Sequence, residues 1–131
     1  MEIKFSIEKP PVYEKCREIF GADWDKGTVF TYGGTVHSKF PLTEDLKAHE
    51  ATHVRQQLAM GKELWWERYL TDPEFRLSRE VEAYRNQATY AQKHYDRSHR
   101  RALKKHIIKS MAGLYGSMCT AEEAEKLVYG K

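Results

Sequence analysis

The stretch Leu46-Lys47-Ala48-His49-Glu50-Ala51-Thr52-His53-Val54-Arg55-Gln56-Gln57 decides how the rest of the chain is read. It contains His-Glu-x-x-His, formed by His49, Glu50 and His53. Residues four apart on an α-helix sit one turn apart and share a face. The two imidazoles can therefore close on one Zn²⁺ without distorting the backbone. Glu50 then stands beside the ion, where a carboxylate can take a proton from water.

Working outward, Thr43 is a good N-cap, and Glu44 and Asp45 in the first turn complement the helix dipole. The helix is expected to run to about Met60 and stop at Gly61. In projection Leu46, His49, Glu50, His53, Val54, Gln57 and Met60 fall on one broad inner face, with Lys47, Arg55 and Gln56 at its edges or off it. Upstream, Thr28-Val29-Phe30-Thr31-Tyr32 is β-branched and aromatic, Gly33-Gly34 signals a hairpin turn, and residues 35–38 form the return strand. Ile3, Phe5 and Ile7 alternate with polar residues as in a half-buried strand, stopped by Pro10-Pro11 and followed by a short helix over 12–20. Downstream, residues 63–70 form a short aromatic helix or tight turn segment. Pro73 at N1 opens a helix to about Tyr95 with the stripe Leu77, Val81, Tyr84, Ala88, Ala91 and Tyr95. A basic helix runs from Arg97 to about Leu114, and Thr120 caps a last short one. The expected class is α+β, a single domain over 1–131 with strands first and helices after.

A catalytic zinc takes three protein ligands and keeps one position open. A third histidine six residues past the motif is excluded, because Gln56 and Ala59 occupy the glycine and histidine positions of that longer pattern. Glu80 and Glu82 remain, and two residues apart on a helix they face opposite ways. Glu80 lies beside the buried stripe and is the favoured ligand, with Glu82 the alternative.

With these residues in place, a resemblance can be stated. His-Glu-x-x-His followed by Glu-x-Glu-Ala on a later helix resembles the gluzincin group of zincin metallopeptidases. The fuller pattern H-E-A-T-H-V-R-Q-Q, Trp65-Trp66-x-x-Tyr69-Leu70 and E-V-E-A-Y-R-x-Q is similar to small zincin-like proteins of bacterial and phage genomes, over about residues 28–90. The resemblance implies a zincin-like fold, Zn²⁺ held by His49, His53 and Glu80, and hydrolysis of a protein or peptide substrate with Glu50 as general base. It also implies that the strand ahead of the motif helix is an edge strand to which an extended peptide can add. Where the family keeps an aspartate, this chain has Tyr84; Asn86 or Gln87 stands close enough to substitute. Tyr32, His37, Tyr69 and Tyr84 are candidate donors to an oxyanion.

Composition narrows the other readings. The 131 residues are 40% apolar and 31% charged, with net charge +3. There is no apolar leader-like segment and no run of about 20 apolar residues, so a cytoplasmic protein without a membrane span is expected. Cys16 and Cys119 are far apart and outside any Cys-x-x-Cys, and are expected as free thiols. The basic run 93–106 permits nucleic-acid binding, but the expectation favours a solvated face balanced by the acidic C-terminal segment. Two rivals remain for the motif: a zincin-like regulatory or binding module whose metal site is weak or structural, and a DNA–protein crosslink protease. The latter usually uses a third histidine, and His94, His99 and His106 all lie in the basic helix.

Overall fold

A computed structural model describes residues 2–113 and 118–130. The expected end of the basic helix at Leu114 lies outside the described residues. The elements in chain order are β1 (Lys4–Ser6), α1 (Tyr13–Phe20), a 3-10 turn (Trp24–Lys26), β2 (Phe30–Tyr32), β3 (Thr35–His37), α2 (Glu44–Met60), α3 (Lys62–Thr71), α4 (Pro73–His94), α5 (Arg97–Gly113) and α6 (Ala121–Tyr129). The class is α+β and mostly helical. No helix among the described residues is long and apolar enough to cross a membrane.

The three strands form one small sheet in the order β1-β3-β2. β2 and β3 are the two arms of the Gly33-Gly34 hairpin, with Tyr32 opposite Thr35. Gly33 has φ +63, and a Cβ there would meet the Lys62 side chain at 3.1 Å. Glycine fits that left-handed turn position at no steric cost. β1 returns parallel to β3, so β3, the strand that leads into α2, is the central strand. This corrects the expected edge strand. It also corrects the half-buried reading of residues 3–7: Phe5 is 58% and Ile7 81% exposed.

Two apolar clusters flank the helical centre. Tyr13, Cys16, Trp24, Phe30, Trp65, Trp66 and Tyr69 knit α1, the 3-10 turn, β2 and α3 together. Rings there meet edge-on or stacked, as Trp65 does on Tyr69 at 4.8 Å. Burying a ring of this size removes about 200 Å² from water, worth ~5 kcal/mol at ~25 cal/mol per Å². The second cluster joins Tyr84 of α4 to Ile107, Met111, Ala124 and Val128 of α5 and α6. α4 is thus covered on two sides. Leu77, Val81 and Ala88 of its stripe pack on the second cluster, while Arg76, Glu80, Ala83 and Gln87, outside that stripe, are also buried. The single stripe expected for α4 is half of what it buries.

Helix ends follow their local chemistry. Asp72 accepts from the N–H groups of Glu74 and Phe75, with Pro73 in the first turn. Thr120 and Glu123 form a reciprocal capping box. Thr43 stands at the N-cap of α2 in extended conformation, but its hydroxyl makes no cap hydrogen bond. Gly61, φ +90, ends α2 and begins α3 directly, letting the aromatic helix fold back against the motif helix.

Candidate metal centre

α2 and α4 lie side by side, and the buried polar residues of both meet between them. His49, His53 and Glu80 each offer a ligand atom there, all within 4.8 Å of one another, and this buried cluster could hold a metal ion. Glu80 Oε1 lies 3.2 Å from His49 Nε2 and 3.2 Å from His53 Nε2. A tetrahedral ion at 2.0–2.2 Å from its ligands sets them about 3.3–3.6 Å apart, and both Glu80 separations come within about 0.1 Å of that, so the donors can close on such an ion. Glu82 is exposed and instead accepts from Gln56 Nε2 at 2.7 Å.

The tautomers are fixed by groups that can only accept. Gln87 Nε2 donates to the Asp45 carboxylate at 2.8 Å, which turns Gln87 Oε1 toward His49 Nδ1 at 3.0 Å. An amide oxygen accepts only, so Nδ1 carries the proton. Likewise Gln56 Nε2 donates to the Arg79 carbonyl and to Glu82, leaving Gln56 Oε1 to receive His53 Nδ1–H at 2.9 Å and Trp65 Nε1–H at 3.2 Å. Both neutral rings then aim the Nε2 lone pair at the Glu80 carboxylate. Three electron-rich atoms cannot converge in a dry interior without a cation among them.

In the metal-free protein that cation is a proton. Burial works against charging His53, but the Glu80 carboxylate overcomes it and lifts the pKa to about 9. Burial likewise opposes ionising Glu80, yet His53 and His49 hold it well below the usual carboxylate range. The second Glu80 oxygen, Oε2, accepts a hydrogen bond from the Tyr69 hydroxyl. Asp45 loses ground to burial, but donors from Gln87 and Tyr95 keep its carboxyl below the usual range.

Glu50 lies on the β-sheet side. Its Oε1 accepts from Thr31 Oγ1 at 2.9 Å, and its Oε2 stands 3.8 Å from His49 Nε2. Of the expected oxyanion donors, Tyr69 is committed to Glu80. Tyr84 packs edge-on to the His49 ring at 4.4 Å. His37 and Tyr32 are not in the site: His37 Nδ1 pairs with the Glu8 carbonyl, and Tyr32 lies under Lys62. Of the two suggested substitutes for the aspartate, Gln87 bonds His49, whereas Asn86 donates to Thr52.

The sheet edge beside the site is closed as well as displaced. β2 is an outer strand, but the Thr31 carbonyl receives Gln57 Nε2 at 2.8 Å and Trp66 Nε1 at 3.0 Å. The expected addition of an extended peptide there finds that carbonyl already taken. His49, His53, Glu80 and Glu50 are nearly sealed, with side chains at most 6% exposed.

Sequence reasoning missed Gln56, Asp45 and Thr31. Asp45 was within reach, since 45, 49 and 53 form one row at four-residue spacing. Gln56 projects at the edge of the inner face or off it, yet α3 and α4 both close on α2, and Gln56 fills the seam between them.

No family model, no curated protein and no solved structure matches the chain.

Proposed function

We propose that this chain is a zinc-dependent metallopeptidase in which His49, His53 and Glu80 hold the ion and Glu50 is the general base. The observation that carries this reading is the convergence of two tautomer-fixed Nε2 atoms and Glu80 Oε1, with Glu50 Oε2 beside them. When bound, zinc would acidify water and polarise a scissile carbonyl. Every other role belongs to the chain's own groups. Thr31 Oγ1 holds one Glu50 oxygen, so the other faces the reacting position, ready to accept a proton and return it to a leaving amine. Gln87 and Gln56 keep both rings turned for ligation. Tyr69 fixes the rotamer of Glu80 through Oε2.

A second reading is favoured by one observation, the burial of all four side chains. A structural ion has no open position and needs no path for substrate, and the chain would then be a zincin-like regulatory or binding module. Elemental analysis of the purified protein, with wild type and Glu50→Gln assayed on casein and a peptide library, separates the two. The first reading expects one zinc per chain in both proteins and hydrolysis in wild type alone. Zinc without hydrolysis by wild type favours the second. Wild type free of zinc at micromolar metal overturns both.

A further inference from the structure

The solvent face of α5 carries a charge row that the metal centre does not use. The helix Arg97–Gly113 holds six of the 22 Lys and Arg of the chain and none of the 19 Asp and Glu, so the remainder is net −3. Arg97, Arg101, Lys105 and Lys109 recur at every fourth residue and are all exposed. At 1.5 Å rise per residue they form a row about 18 Å long with steps of about 6 Å. The acidic C-terminal segment does not neutralise them. Its one ion pair with α5 among the described residues is Lys104–Glu125 at 4.0 Å, and Lys104 also lies over the Tyr129 ring. Arg100 is engaged too, donating to the Tyr95 carbonyl. Glu123 turns back into its own capping box. Among the described residues none of the four row cations has an ion pair or side-chain hydrogen bond.

Like charges spaced four apart repel one another on a helix, and a polyanion laid along them relieves that repulsion. We propose that the α5 face binds the phosphate backbone of duplex nucleic acid without reading sequence. Repeating phosphates match repeating cations, and release of condensed counterions drives such binding. An anionic membrane is the poorer match. Between the row cations the outward positions are Ser98, Ala102 and His106, and none of the large exposed apolar residues lies on α5. An interfacial helix would need such residues. The four row cations are exposed on α5, whereas His49, His53 and Glu80 are buried on α2 and α4. The proposal therefore stands whether or not the chain is a peptidase.

The test is fluorescence anisotropy of a labelled 20-base-pair duplex of mixed sequence across 50–300 mM KCl. The full chain should bind with similar affinity to an unrelated duplex, and log K should fall linearly with log salt. Changing all four to glutamine (Arg97→Gln, Arg101→Gln, Lys105→Gln, Lys109→Gln) should weaken binding at least tenfold at low salt. It should also cut the slope by about 3–4, at ~0.9 per phosphate contact. A control that removes the same charge elsewhere (Lys15→Gln, Arg17→Gln, Lys26→Gln, Lys39→Gln) should leave affinity within twofold. If the fourfold variant fails to fold by circular dichroism, Arg101→Gln and Lys105→Gln singly should each lower the slope by about 0.9. No binding at 50 mM KCl, equal losses in the control, or binding to phosphatidylserine vesicles but not to duplex overturns the proposal.

Discussion

His49 and Gln87 are joined by a hydrogen bond from Nδ1–H to Oε1 at 3.0 Å, and that bond decides which ring nitrogen is left to meet a cation. Gln87 has no freedom to reverse its amide, because its Nε2 faces the acceptor-only carboxylate of Asp45, which Tyr95 also holds at 2.8 Å. The charge of Asp45, acting through Gln87, thus sets the tautomer of His49. Replacing Gln87 with leucine keeps the volume and removes both bonds. Zinc affinity should drop 10–100-fold, as seen for lost partners of metal-bound histidines. Competition against a chromophoric chelator measures it, and an unchanged dissociation constant would show that the amide orients nothing.

The two glutamates of α4 give a sharper comparison. Glu80→Gln removes the carboxylate that faces both Nε2 atoms, whereas Glu82→Gln alters an exposed acceptor of Gln56. Zinc binding should be lost or fall by orders of magnitude in the first variant and change little in the second. Comparable losses in both would place the ion elsewhere. Tyr69→Phe should be intermediate, since it frees Oε2 of Glu80 but leaves the ligating oxygen in place.

How much of this was legible in the sequence depends on how far each contact reaches. His49 and His53 follow from helical spacing alone. Glu80 follows from projecting α4, where it lies on a buried side of the helix and faces both Nε2 atoms. What the sequence did not carry was which elements meet. β1 is too short, and too exposed at Phe5 and Ile7, to announce that it pairs in parallel with β3. That pairing is what moves β3 from edge to centre. Similarly Gln56 has no apolar character to mark it as interior; only the approach of Trp65 and Arg79 from two other helices makes its four hydrogen bonds possible. The helix starts at Pro73 and Thr120 rest on contacts within a few residues, so both are readable from the sequence.

The charge logic of the centre predicts how the metal-free protein responds to pH. His53 titrates at about 9 in the folded chain and at about 6.5 when unfolded. A raised folded pKa means the stabilisation is fully present below about 6.5 and is lost as pH rises through about 9. Glu80 works in the opposite sense: its depressed pKa gives stability that is present above the ordinary carboxylate range and lost on acidification. Urea midpoints of chelator-treated protein should therefore be highest between about pH 5 and 6.5 and decline toward pH 9. If zinc takes the place of the proton on His53, the loaded protein should not show the alkaline decline. Parallel curves with and without zinc would mean that the ion does not occupy the proton's place.

Thr31 and Glu50 offer a test that needs neither metal nor substrate. The Thr31 hydroxyl donates to Glu50 Oε1 at 2.9 Å inside a site where both residues are buried. Valine has the same shape, and the Thr31 backbone carbonyl keeps its bonds to Gln57 and Trp66. Thr31→Val should therefore leave the sheet intact while stranding a buried carboxylate oxygen, at a cost of about 1–3 kcal/mol. Glu50→Leu should strand the hydroxyl in turn. The double variant should cost less than the two single changes together, because neither polar group is then left without its partner, and the coupling should be about 0.5–3 kcal/mol. Denaturant unfolding of the four proteins at pH 6 in chelator reads the cycle. Additive losses would mean that the hydroxyl and the carboxylate do not bond in solution, and that Glu50 must be oriented for catalysis by something other than Thr31.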